Sequence, residues 1–98
     1  MKAIEKEMVS AVKNVKHFKK SNTAVYVVGN IVMVKLFGNL IYAKNTTNGK
    51  EMFSDGGWRS VTTKSRLNAL GCYVYQKNWA WFKPDGTPWV NGRLRDIY

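Results

Sequence analysis

Two Gly-Asn pairs, Gly29-Asn30 and Gly38-Asn39, cut the stretch from Thr23 to Lys44 into three short runs rich in β-branched and aromatic residues. Runs of this length, bounded by turn residues, favour strands over helices. A two-residue link of this type closes a tight hairpin. The expectation is therefore three antiparallel strands, Thr23 to Val28, Ile31 to Phe37 and Leu40 to Lys44. Ile31-Val32-Met33-Val34 is apolar at every position, so that strand buries both faces and belongs near the centre. Asn45 to Gly49 reads as a polar loop, Lys50 to Phe53 as a short fourth strand, and Ser54 to Gly57 as a glycine turn.

Helices are expected on either side of these strands. From Met1 to Lys20, the apolar residues Ile4, Met8, Ala11, Val12, Val15 and Phe18 recur at spacings of three and four. Glu5 and Glu7 near the start and Lys16, Lys19 and Lys20 near the end match the helix dipole. Such a helix, ended at Ser21-Asn22, covers one face of the sheet. The sharper alternative is a basic amphipathic helix that touches an anion or a membrane. A second helix is expected over residues 62–70, with Thr62 or Thr63 capping its start and Gly71 closing its end. Leu67 and Leu70 form its apolar stripe, with Lys64, Ser65 and Asn68 on the other side.

Beyond it, Cys72 to Gln76 and Trp79 to Lys83 read as two more strands joined at Lys77-Asn78. Residues 84–98 read as a turn and an irregular tail pinned by Trp89. The expected fold is one α+β domain over residues 1–98, of order α-β-β-β-β-α-β-β, with an antiparallel meander sheet and the N-terminal helix on one sheet face.

Gly56-Gly57-Trp58, Thr62-Thr63 and Arg66-Leu67-Asn68-Ala69-Leu70 also resemble a family of short tailed-bacteriophage proteins, over the stretch from Asn22 to Trp81. That resemblance implies a viral origin and a role inside an infected bacterium, and it brings no activity with it.

Composition narrows the function classes. Sixteen Lys and Arg against six Asp and Glu leave a net charge of +10, which attracts polyanions. The only cysteine, Cys72, can form no internal disulfide, and with one histidine, His17, it can build no Cys/His zinc site. The charged start shows no signal peptide, and no run has the roughly twenty apolar residues of a membrane span. A cytoplasmic location in the bacterial host follows. Neither metal nor cofactor is expected. Asp55, Asp85 and Asp96 fall in turns, and Ser60, Ser65, Thr62 and Thr63 have no base beside them, so no enzyme is expected.

Two constellations point to binding. Arg59, Lys64 and Arg66 surround a helix start where Thr62 and Thr63 could help hold a phosphate. The alternative is that the threonines only cap the helix. Secondly, Tyr73, Tyr75, Trp79, Trp81, Phe82 and Trp89 are interleaved with Lys77, Lys83 and Arg93. Rings beside cations on a hairpin are how single-stranded nucleic acids are held. A two-residue Lys77-Asn78 turn places Tyr73, Tyr75, Ala80 and Phe82 on one face and buries Val74 with Trp81. A three-residue link instead groups Tyr73, Tyr75, Trp79 and Trp81. At least half of these rings are expected in the core. The candidate nucleic-acid contacts are Arg59, Lys64, Arg66, Lys77, Trp79 and Lys83. The competing expectation is a protein-binding inhibitor of a host polymerase, nuclease or defence complex, anchored by exposed Trp79, Trp89 or Tyr98. Homodimerisation through an edge strand or the apolar helix is also open.

Overall fold

The computed structural model describes all 98 residues. Helix α1 spans Ala3–Lys13. Strands β1 (Phe18–Lys20), β2 (Thr23–Val28), β3 (Ile31–Leu36), β4 (Asn39–Asn45) and β5 (Glu51–Phe53) follow, then helix α2 (Val61–Ala69). Strands β6 (Tyr75–Lys77) and β7 (Ala80–Phe82) form a separate hairpin, and a 3₁₀ turn at Leu94–Ile97 closes the chain. The class is α+β, as expected, and β3 is central in the five-stranded antiparallel order β1-β2-β3-β4-β5.

The first helix is shorter than its apolar periodicity suggests. It stops at Lys13, and residues 18–20 pair with β2 as an edge strand. A Schellman turn makes the stop. The Lys16 N–H donates to the Ala11 carbonyl at 2.9 Å and the Val15 N–H to that of Val12 at 3.2 Å. Val15 takes the left-handed conformation, φ 53°, that glycine ordinarily supplies. Helix α2 ends on the same motif with the expected residue: Gly71, φ 95°, donates to Asn68, and Cys72 to Leu67. Its start differs from expectation. Ser60, not Thr62 or Thr63, is the N-cap, its Oγ accepting from the Thr63 N–H at 3.0 Å.

Gly29-Asn30 links β2 and β3 as expected, since Val28 pairs with Ile31. The next turn is one residue earlier than Gly38-Asn39. Leu36 pairs with Asn39, and Phe37-Gly38 carry the positive φ angles of 51° and 78°. A bulge absorbs the difference: Val34 pairs with Tyr42 but Lys35 with Leu40, leaving Ile41 unopposed and buried.

One sheet face carries Val25, Val34 and Tyr42 in a row across three strands. These join Met8 and Ala11 of α1, Leu67 of α2, and Val74, Trp81 and Trp89 in the main core. Fully burying Met8 or Leu67 is worth roughly 1.5–3 kcal/mol each. The second face has a smaller core, Ile31, Ala43 and Met52, capped by Ile97 from the terminal turn. Residues 84–98 are therefore more than a tail pinned by Trp89. Gly92 lies against β5, its N–H donating to the Phe53 carbonyl at 2.7 Å, where an added Cβ would sit 3.1 Å from that oxygen. Lys19 and Lys20 occupy the opposite edge strand, a placement that discourages strand addition.

Between the helices and β2 lies a buried ion pair. The Arg66 Nη1 donates to the Glu5 Oε2 at 2.8 Å, with Glu5 only 3% and Arg66 4% exposed. Arg66 Nε donates to the Thr23 hydroxyl at 3.0 Å and Nη2 to the Asn22 side-chain oxygen at 3.3 Å. The Ser65 hydroxyl and the Lys2 N–H also donate to Glu5. Burial alone pushes the Glu5 carboxyl up. The hydrogen bonds from Ser65, Arg66 and Lys2, with the charge of Arg66, outweigh it and hold the group below its ordinary value.

A depressed folded pKa stabilises the protein above the unfolded value of about 4.5, and that contribution is lost as pH falls through the folded value. Urea unfolding followed by tryptophan fluorescence should therefore show stability falling with acidity below pH 4.5. Glu5→Gln should flatten that fall and cost about 3 kcal/mol at neutral pH, because it leaves Arg66 buried without a counter-ion. An unchanged acid limb in the variant would remove Glu5 from this account.

Candidate nucleic-acid interface

The β6–β7 hairpin is built around two faces. Tyr75 pairs with Phe82, Gln76 with Trp81 and Lys77 with Ala80. The turn is Asn78-Trp79, one residue later than the expected two-residue link at Lys77-Asn78. The faces nevertheless match the two-residue alternative, because the pairing moved by an even number of positions. Val74 and Trp81 are buried. On the outward face, the rings of Tyr75 and Phe82 stack at 5.6 Å and 23° between planes, and Lys77 shares that face. Trp79 stands at the tip, 92% exposed.

Both turn residues adopt the left-handed conformation, φ 52° at Asn78 and 67° at Trp79. A type I′ turn wants glycine at the second position. A tryptophan there is strained and gains nothing from burial. Of six clustered aromatics, Trp81 and Trp89 are core, Phe82 is half-buried, and Tyr73, Tyr75 and Trp79 are exposed. Lys83 follows β7 and is exposed. With Tyr73 it flanks a groove of about 550 Å³. Cys72 lines the same groove, half-buried, and burial pushes its thiol up to about 11, so it stays protonated.

The helix corner does not assemble as a binding site. Arg66 belongs to the buried ion pair and faces the core. Arg59 Nε donates to the Asp55 Oδ2 at 3.0 Å, and its guanidinium lies 5.7 Å from the centroid of Trp81, on the buried side of the hairpin. Asp55 also accepts from the Gly57 N–H at 2.7 Å and from Asn91 Nδ2 at 3.1 Å. Burial pushes the Asp55 carboxyl up, but these bonds and Arg59 hold it below its ordinary value. Asn91 accepts in turn from the Trp89 indole at 2.8 Å, and Trp89 meets Trp81 edge-on. Arg59 thus ties the glycine turn, the hairpin and the C-terminal segment together.

Thr63 is buried, its hydroxyl donating to the Trp58 carbonyl at 3.0 Å. Thr62 lines a cleft of about 250 Å³ whose wall includes Leu36 and Ile41 and whose rim carries exposed Phe37 and Trp58. Lys64 is half-buried on α2 and forms no ion pair. The expected contacts Lys77, Trp79 and Lys83 therefore lie together on one hairpin. Arg59, Lys64 and Arg66 do not join them. Phe37 and Trp58 were not among the expected contacts, since isolated aromatics at turns have no periodicity to mark them as exposed.

This geometry defines a small α+β protein with an antiparallel sheet, two packed helices and a protruding aromatic hairpin. No helix is long and apolar enough to cross a membrane. The chain belongs to the family described as Kyanoviridae Gp96 protein, a family of tailed phages' proteins, whose model matches residues 1–96. No curated protein and no solved structure matches it.

Replacing Trp79 by glycine should raise the unfolding free energy by about 1 kcal/mol, because it relieves a left-handed non-glycine residue that contributes no packing. Urea unfolding checks this. A loss of stability would mean that the indole does hold the hairpin.

Proposed function

We propose that this protein is a non-enzymatic accessory factor that binds single-stranded nucleic acid through the β6–β7 hairpin. One observation carries the reading: the outward face presents stacked Tyr75 and Phe82 beside Lys77, with a strained, fully projecting Trp79 at the tip. Rings offer stacking to bases of any identity, and lysines meet the phosphates. Strain kept at an exposed residue points to use rather than to stability. The charge supports the same partner. Three ion pairs, Lys20–Glu7, Arg59–Asp55 and Arg66–Glu5, occupy three of the six acids and leave most cations unpaired.

A second reading rests on the cleft beside α2. Exposed Phe37 and Trp58 rim a hollow walled by Leu36 and Ile41, which suits a protein partner such as a host polymerase, nuclease or defence complex.

Binding of fluorescent single- and double-stranded DNA and RNA across a salt series separates the two. Single strands should bind at physiological salt with preference over duplex. Trp79→Ala should weaken binding by roughly fivefold or more without changing the salt slope. Lys77→Ala with Lys83→Ala should lower the slope by about 1.4, or about 0.7 for each lost phosphate contact. Binding that vanishes as salt rises, with all variants alike, would overturn the hairpin reading and leave the protein-binding one.

A further inference from the structure

The second face of the main sheet is only half covered. The terminal turn protects Ile31, Ala43 and Met52, whereas on the β1–β2–β3 side Tyr26 and Phe37 stand exposed around buried Ala24. There, pairing sets Lys19, Ala24 and Lys35 in one row across three strands. Strands lie about 4.8 Å apart, so the two lysine stems rise roughly 10 Å apart with only a methyl group between them. Tyr26, two residues beyond Ala24, shares this face and is 38% exposed. The Lys35 ammonium lies 5.3 Å from the Tyr26 ring centroid, and His17 meets the ring edge-on at 6.5 Å. The ring is thus held in place while remaining accessible. Phe37, exposed at the β3–β4 turn, closes the far side.

Lys19, Tyr26, Lys35 and Phe37, with Ser21 and Asn22, border a hollow of about 220 Å³ with the buried Ala24 as floor. No acid lines it, and neither Lys19 nor Lys35 is ion-paired. The hollow is smaller than the roughly 300–1,000 Å³ of a complete small-molecule pocket. It suits one unit of a chain, held by a planar group against the rings and an anion between the ammonium groups.

We propose that this hollow is a second nucleotide-binding position, taking one base against Tyr26 and Phe37 and its phosphate between Lys19 and Lys35. The inference rests on the single-strand reading and adds to it a contact on a different element. Ala24 is the specificity-determining floor: any larger side chain would fill the space the base occupies. The sheet face carries the same chemistry as the hairpin, rings beside unpaired lysines, but on a rigid support rather than on a protruding loop.

The test is a titration of ¹⁵N-labelled full-length protein with a short oligothymidylate, comparing amide shifts at Ala24, Tyr26 and Phe37 with those at residues 75–82. Both groups should move. Ala24→Leu, which keeps every charge, should abolish the first group's shifts, leave the hairpin's in place, and weaken affinity about tenfold. Lys19→Ala with Lys35→Ala gives a second arm should Ala24→Leu fail to fold, and should lower the salt slope by about 1.4. Shifts confined to the hairpin would overturn the second position and leave the hairpin reading intact. Shifts at neither would overturn both. Equal shifts at Tyr26 and Phe37 with a polyglutamate peptide would overturn the nucleotide assignment, because they would mark a generic acidic-partner surface.

Discussion

The fold depends on the buried pairing of Glu5 with Arg66. These residues come from α1 and α2, sixty-one positions apart in the chain, and meet over Thr23 at the start of β2. Neither helix is long enough to be stable alone. Each is held by its apolar contacts with the sheet, and the ion pair sets how the two sit relative to each other. A buried charge costs several kcal/mol in desolvation, and the cost is met only when its remaining hydrogen-bonding capacity is filled. Here it is filled from three sides. Glu5 accepts from Ser65, Arg66 and Lys2, while Arg66 donates to Glu5, Thr23 and Asn22. No buried side-chain nitrogen or oxygen in the molecule lacks a partner.

A second polar knot does similar work at the other end. Asp55, Arg59, Asn91 and Trp89 connect the glycine turn to the C-terminal segment. The protein thus spends two of its arginines, with two of its few acids, on architecture. What remains on the surface is mostly lysine, a flexible point charge suited to phosphates without fixed geometry. This division between structural arginine and surface lysine underlies the proposed role. In that proposal the cations that bind are those the fold does not use.

Much of the architecture was legible because it follows from local rules. The meander was written in β-branched runs and glycine turns, and the central place of β3 in its unbroken apolar start. The buried pair Val74 and Trp81 followed from strand alternation. The end of α2 was visible at Gly71, whereas the end of α1 was not. Both helices close with the same motif, but at Val15 a β-branched residue takes the glycine's place, and the apolar spacing runs on through Val15 and Phe18. The turn at residues 37–38 was hidden by the bulge at Ile41, which only cross-strand pairing reveals.

The candidate site was legible in part for the same reason. Lys77, Trp79 and Lys83 are close in sequence and remain close in space. Arg66 lies on α2 among polar residues, and nothing local distinguishes an exposed arginine there from one whose partner is Glu5. The open sheet face escaped notice because its residues, Lys19, Ala24, Tyr26 and Lys35, come from three strands, one of which was expected to be helix. A double-mutant cycle on Glu5 and Arg66 by urea unfolding, with Glu5→Leu, Arg66→Met and the two combined, tests the fold's dependence on this pairing most directly. Each single change should cost about 3–5 kcal/mol, and the double variant should be far more stable than their sum implies. Costs that simply add would contradict it, since the two side chains would then act independently and the fold would not depend on their pairing.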